Sequence, residues 1–365
     1  MTSIAIAHDY LTQRGGAERV VLTMLRAFPD ATIYTTLYDP EGTYPEFREA
    51  RIVTSSLNRV GLLRRHHRAA LPLLPLAARS LRIDEDTVVV SSSGWAHGFH
   101  ASGRRIVYCY SPARWVYQTD TYLGGPARHT LSGLALLALR PFLRRWDRRQ
   151  AAKADVYLAI SREVQGRIRD AYDRGSEVLP APHSADAGAP QAPVGALQDW
   201  AGTGYHLVVS RLLPYKNVGA VIEAFAGLPD QRLVVVGRGP EREHLLAASG
   251  PNVRMLQDLS DEEIRWVYAH ATTLIAPSIE DYGLTPLEAG AYGKPTLALR
   301  GGGYLDTIED GVSGTFFESP TAPEIRTAVM SNLTRRWDPA AIQQHVDRFG
   351  EGPFIERLRA LAVGS

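Results

Sequence analysis

The chain has 365 residues, is 45% hydrophobic and 22% charged, and carries a formal net charge of +1 at pH 7. Two domains of roughly 100–200 residues are expected at this length, and the composition is that of an ordinary globular protein rather than a disordered or collagen-like chain. A lone cysteine, Cys109, excludes an intramolecular disulfide, and the longest nearly apolar run, 131–139, is too short to span a bilayer. Short β-branched runs then follow one another along the chain. Residues 4–7, 32–35, 52–54, 88–90, 106–108 and 156–160 read as strands covered on both faces, because their apolar character is continuous rather than alternating. The run after Gly16 puts Val20, Val21, Met24, Leu25 and Phe28 on one helical face. Further helices are expected at 134–153 and 163–172.

The pattern breaks at 180–204, which is rich in Pro, Ala and Gly and nearly uncharged. Such a composition predicts a linker. Strands are then expected at 207–210, 233–236, 253–256, 274–276 and 296–299, with helices at 218–225, 241–248, 261–269, 286–292 and 353–362. Alternation on both sides of a break implies two α/β parallel-sheet domains. The expected division is 1–185, a linker at 186–204, 205–340, and a helical segment at 341–365 that packs back on the first domain.

The most informative motif is Glu280-Asp-Tyr-Gly-Leu-Thr-Pro-Leu-Glu288. It follows a buried strand and enters a helix, whose first turn suits Pro286. Backbone N–H groups at such a helix start cradle phosphate or hydroxyls, and two carboxylates can each accept hydrogen bonds from a vicinal diol. The next is Ser210-Arg211-Leu-Leu-Pro-Tyr-Lys216-Asn217, at the end of the first strand of the second domain, where ligands of open α/β sheets bind. Arg211 offers a planar fork and Lys216 a mobile point charge, a pair suited to a diphosphate. Lysine is scarce here: Lys153 and Lys294 are the others. Arg14-Gly15-Gly16-Ala17-Glu18 lets backbone approach a phosphate at the first helix, but it is not a dinucleotide fingerprint. His97, in Ser91-Ser-Ser-Gly-Trp-Ala-His97-Gly98, lies on a loop after a strand, where it can meet a substrate hydroxyl.

Three features point away from other chemistry. Asp84-Glu-Asp86 precedes its strand and so lies at the wrong end for a ligand. His66-His67 has no neighbouring carboxylate, and Gly237-Arg-Gly239 is too short for a nucleotide fingerprint. No metal site is expected. Basic residues cluster at Arg51, Arg59, Arg64, Arg65, Arg68 and Arg79, and again at Arg140, Arg144, Arg145, Arg148, Arg149 and Lys153. These are either solvated faces or anion-binding patches. No nucleic-acid motif accompanies them.

Taken together, these motifs resemble family 4 of the retaining glycosyltransferases, which have the GT-B fold: α/β, with two Rossmann-like parallel-sheet domains facing across a cleft. The resemblance implies that Glu288 binds the donor ribose and Glu280 faces the donor sugar. It implies that Leu284 and Thr285 contact sugar or diphosphate, and that Arg211, Lys216 and the backbone of Gly16 hold the diphosphate. Residues 254–256 would flank the base through the main chain. His97 would be catalytic together with Glu280, with Ser92 or Trp95 able to share its role. His8-Asp9-Tyr10 and Tyr108-Cys-Tyr-Ser-Pro-Ala-Arg114-Trp115 are similar to a branch that includes mannosyltransferases of surface polysaccharides. That branch implies acceptor contacts at Asp9, Tyr10, Arg114 and Trp115, and GDP-mannose as donor ahead of a UDP-sugar. Gly301-Gly-Gly-Tyr-Leu-Asp306 resembles a family loop that ends in Glu, so Asp306 implies altered donor-sugar selection.

The implied reaction is metal-independent and needs no cofactor beyond the donor. It transfers a sugar to a hydroxyl of a glycan, glycolipid or small glycoside. The alternatives are a GT-B epimerase or phosphorylase, or a silent nucleotide-sugar-binding scaffold. The segment MTSIAIAHDY has no basic n-region or cleavage site, so a cytoplasmic protein is expected. The Arg clusters interleave with Leu, Phe and Trp, which adds peripheral contact with an anionic inner membrane face.

Overall fold

The structure, a computed structural model, describes residues 2–65, 74–119 and 131–363. His66, His67 and Arg68 lie outside them. The chain forms two compact units, Met1–Pro182 with Glu351–Ser365, and His183–Gly350.

Among the described residues, unit 1 is built on seven parallel strands: β1 (Ile4–His8), β2 (Thr32–Thr35), β3 (Ile52–Thr54), β5 (Thr87–Ser92), β7 (Arg104–Cys109), β8 (Val156–Ala159) and β9 (Glu177–Val178). Their spatial order is β3-β2-β1-β5-β7-β8-β9, and a separate small pair joins β4 (Arg82–Ile83) to β6 (His100–Ala101). Central strands are dry: Ile6 pairs with Ile33 on one side and Val89 on the other, and all three are fully buried. Helix α1 (Gly16–Ala27) covers the sheet with Val20, Val21 and Met24. Helices α2 (Leu131–Ala151) and α3 (Arg162–Tyr172) follow. Ser161 caps α3 by accepting from Val164 N at 3.1 Å.

Unit 2 holds β10 (Tyr205–Val209), β11 (Leu233–Val236), β12 (Val253–Leu256), β13 (Ala271–Ala276), β14 (Thr296–Leu299) and β15 (Gly314–Phe317), all parallel in the order β12-β11-β10-β13-β14-β15. Its helices include α4 (Val218–Ala226), α5 (Arg242–Ala248), α6 (Asp261–His270), α7 (Leu284–Ala291), α8 (Ala322–Leu333) and α9 (Pro339–Asp347). One core cluster joins α4, β11 and α8 through Val221, Phe225, Val235, Ile325 and Val329. On the opposite face, Leu207, Val234, Val267 and Leu274 form a second cluster.

Two expectations about boundaries differ from this arrangement. Residues 186–204 do not stand apart as a linker; they belong to unit 2. Val194, Leu197 and Trp200 are buried in the second cluster, so three spaced apolar side chains, two of them on the short helical turns Gly195–Leu197 and Gln198–Ala201, anchor a Pro-rich segment. The terminal segment 341–365 is likewise divided. Helix α9 belongs to unit 2, whereas α10 (Glu351–Val363) belongs to unit 1. There Phe354 meets Tyr108 edge-on at 5.4 Å, Arg357 pairs with Glu177 at 2.7 Å, and Arg104 donates to Leu361 O at 2.7 Å.

Candidate functional site

In unit 2 the chemistry-bearing residues gather at the carboxyl ends of β10, β11 and β13. The chain leaves β10 at Ser210, whose N–H bonds Val236 O at 3.0 Å. A short 3-10 turn, Pro214–Lys216, then lifts Lys216 to the end of the sheet. Asn217, with φ of 56°, starts α4 and donates through Nδ2 to Pro277 O at 2.9 Å, which ties the loop after β10 to the loop after β13. Lys216 is 7% exposed. Its Nζ pairs with Glu280, and Ser278 Oγ donates to the same carboxylate at 2.7 Å. Lys216 also stands over the Tyr215 ring, 5.0 Å from its centroid.

Gly283, with φ of 111°, precedes α7, and no side chain caps that helix. Only glycine takes this backbone freely. Leu284, Thr285 and Pro286 form the first turn, so the amides at its start are available to an anion or a hydroxyl. Glu288 lies one turn further on and accepts a 2.7 Å hydrogen bond from Tyr268 of α6. Burial, then the charge of Glu288, pushes the Tyr268 hydroxyl pKa well up, so it remains a donor. The structure thus brings Lys216 to Glu280, and puts Glu288, Leu284 and Thr285 on the helix that follows. Arg211 is exposed and donates to Oη of Tyr215 at 3.0 Å, the residue whose ring lies under Lys216.

The loop 301–303 backs this site. Gly303 N bonds Glu280 O at 2.8 Å, and a Cβ at Gly303 would collide with Tyr282 backbone atoms. Gly303→Val is expected to destabilise by about 1–3 kcal/mol through overpacking. Urea unfolding measures this, against Gly195→Ala, where an added Cβ meets open space and a change within about 0.5 kcal/mol is expected. Gly237 and Gly239 also belong here. A Cβ at either would strike the carbonyl oxygen of Ser210 or Leu212. They let β11 pass close to the Lys216 loop, a packing role rather than a complete fingerprint.

In unit 1 the corresponding strand ends carry a buried polar network. His8 Nδ1 lies 2.9 Å from Ser91 Oγ, which lies 2.9 Å from Tyr110 Oη. His8 Nε2 is 4.0 Å from Glu18. Burial alone lowers the His8 pKa, but Glu18, Asp9 and the Ser91 carbonyl overcome it and hold the pKa above the ordinary value. Gly16 is exposed at the start of α1, and Gly15 precedes it in extended conformation.

Three residues expected at ligand contacts in unit 1 are buried. His97 is 2% exposed. Its short turn tucks under α2, where Nε2 lies 2.7 Å from Asp147 and the ring lies beside Trp146 and Tyr172. Asp9 is equally buried and accepts from Ser93 N at 2.6 Å, Trp95 N at 2.9 Å and Ala96 N at 2.7 Å. These bonds tie Asp9 to the 91–98 loop. Trp115 is buried against Trp95, ring centres 6.2 Å apart, whereas Arg114 is exposed and Tyr10 half-buried. Asp84–Asp86 lies at the amino end of β5, where Asp86 accepts from Ser3 N at 2.8 Å. Sequence reasoning missed Tyr268, Ser278 and Asp147. Each becomes visible only once the fold sets it beside its partner.

Two parallel α/β units, one with a Lys–Glu pair beside an uncapped helix start, define the class of GT-B glycosyltransferases. The profile for glycosyl transferases group 1 matches residues 201–346, and that for glycosyltransferase family 4 matches 14–181. The chain belongs to glycosyltransferase family 4. It is 31% identical over 215 residues to a GDP-mannose-dependent alpha-(1-6)-phosphatidylinositol monomannoside mannosyltransferase of Mycolicibacterium smegmatis, covering 53% of this chain and 56% of that one. It is 25% identical over 189 residues to an alpha-1,3/1,6-mannosyltransferase of Dictyostelium discoideum, covering 43% and 45%. The chain thus spans about half the length of these curated relatives. The solved structure of Anabaena HepE in complex with UDP and glucose superposes with a TM-score of 0.69 at 17% identity, over 100% of both chains. That likeness establishes the fold.

Proposed function

We propose that this chain transfers a hexose, with retention of configuration, from a nucleotide-sugar to a hydroxyl of a glycan or lipid-linked acceptor. The observation that carries the reading is the Lys216–Glu280 pair beside the uncapped start of α7, with Glu288 held by Tyr268 one turn on. Lys216 neutralises the departing diphosphate, and Glu280 accepts hydrogen bonds from the sugar. Glu288 accepts from the ribose. Leu284 and Thr285 offer backbone N–H groups, and Arg211 completes the diphosphate contacts. Fixed charge aimed at a developing anion is the largest usual source of such catalysis. The bond from the anomeric carbon to the phosphate oxygen breaks, and the acceptor oxygen bonds the same face of that carbon. The acceptor proton passes to a phosphate oxygen. On this reading no metal takes part, because Lys216 supplies the countercharge.

Tyr10 and Arg114 of unit 1 are the acceptor-side groups. Asp9, His97 and Trp115 act as positioning residues beneath them. GDP-mannose is the first donor to try, supported by the name of the mycobacterial relative, and UDP-glucose the second, supported by the ligands of HepE. The direct test follows nucleoside diphosphate release from each donor in excess EDTA. Release from one donor, enhanced by an acceptor glycoside, is the expected result. Turnover that requires inorganic phosphate in place of a nucleotide-sugar would assign a phosphorylase, and interconversion of free nucleotide-sugars an epimerase. Absence of turnover despite nucleotide binding would leave the silent scaffold. The expected place of action is the cytoplasmic face of a membrane.

A further inference from the structure

Helix α2 presents an outward face that the reaction above does not use. Phe142 is 70% exposed, Leu134 49% and Leu139 44%. At 100° per residue, Leu134, Ala138, Phe142, Arg145 and Arg149 fall within an arc of about 80°. Arg145, Arg148 and Arg149 are exposed one to two turns beyond the apolar group. Beside Phe142 lies a hollow of about 470 Å³ lined by Arg79, Arg105, Arg145, Arg149 and Lys153, and no carboxylate lines it. Arg140 and Arg144 line a second hollow with Arg145, Arg148 and Arg149.

Among the described residues, the hollows bring together cations with no carboxylate in their lining. Asp147 is the one acid of α2, and it is buried towards His97. Arg105 Nη1, Arg140 Nε and Arg144 Nε are buried nitrogen atoms without a hydrogen-bond acceptor among the described residues. Burial first, and then the charges of Arg140 and Arg148, lower the Arg144 pKa, as expected of cations crowded without a counter-anion. Guanidinium groups of this kind seek phosphate oxygens.

We propose that the α2 face of unit 1 docks on an anionic lipid bilayer, with Phe142, Leu139 and Leu134 entering the headgroup–acyl boundary and Arg145, Arg149 and their hollow taking lipid phosphates. The exposed apolar side chains favour a bilayer over a nucleic-acid backbone, which would leave them in water. The inference does not depend on the donor or on turnover, so it can fail while the glycosyltransferase reading stands.

The test is flotation of the full chain with vesicles of phosphatidylcholine alone, or with about one third phosphatidylglycerol, at roughly 0.1 M salt. Binding should need the anionic lipid and fade at roughly 0.5 M salt, where screening is short-ranged. Phe142→Asp, and separately the pair Arg145→Glu with Arg149→Glu, should each weaken binding roughly tenfold or more. Unchanged thermal midpoints and unchanged stabilisation by nucleotide show that the fold and the unit 2 site are intact in these variants. Wild-type protein that ignores anionic vesicles, binds both vesicle types equally, or is matched by both variants overturns the proposal. So does retention of short duplex DNA in place of vesicles.

Discussion

Replacing Lys216 with alanine is expected to lower the transfer rate by about 10²–10³, the usual loss when one preorganised donor to a developing anion is removed. Lys216 is 7% exposed and paired with Glu280, so its charge sits where solvent screens little. In the free protein Glu280 and the Tyr215 ring hold the ammonium in place. When the diphosphate departs, that ammonium is already at hand. An interaction made mainly in the transition state lowers kcat as much as kcat/KM, whereas uniform binding raises KM alone. Lys216→Arg should recover only part of the rate, because the fork is wider than an ammonium and the turn is tight. Initial rates over a donor series, with thermal midpoints to exclude unfolding, decide the matter. A kcat within threefold of wild type would remove Lys216 from the chemistry.

Trp200→Ala is expected to destabilise unit 2 by about 3–5 kcal/mol, the cost of emptying a large buried site. The side chain is 5% exposed and lies in the core cluster with Tyr205, Val234 and Trp266. Arg254 stacks on its ring, 3.9 Å from the centroid, and pairs with Asp199 at 2.6 Å. For a unit of this size the unfolding midpoint should fall by roughly 10 °C. A free linker would show no such effect. Calorimetry on the full chain resolves the transition that moves.

The two predictions mark the limits of sequence reading. The alternation of apolar runs and amphipathic stretches foretells two parallel sheets, because both faces of each strand must be apolar. The Glu280–Glu288 motif is legible since turn residues, a strand and a helix start converge on it. Residues 186–204 mislead because composition reports backbone stiffness, whereas Val194, Leu197 and Trp200 bury themselves only against strands far along the chain. Helix α8 escapes notice because only Ala322, Ile325 and Val329 of it are buried, and its other apolar side chains lie outside that face. The burial of His97 is likewise absent from its local sequence. Its loop position suggests access, yet Asp147, fifty residues on, takes its Nε2 into the interior. Tyr268 carries no local signal at all; its meaning comes from Glu288, 2.7 Å away.

The most direct measurement is the thermal shift of the wild type and of Lys216→Ala with GDP, UDP and ADP, each at a hundredfold excess over its dissociation constant. One nucleotide should stabilise the wild type by about 2.7 kcal/mol, and the Lys216→Ala protein should lose most of that gain. Stabilisation by none of the three, or equal stabilisation of both proteins, would contradict a nucleoside diphosphate site at Lys216 and Glu280.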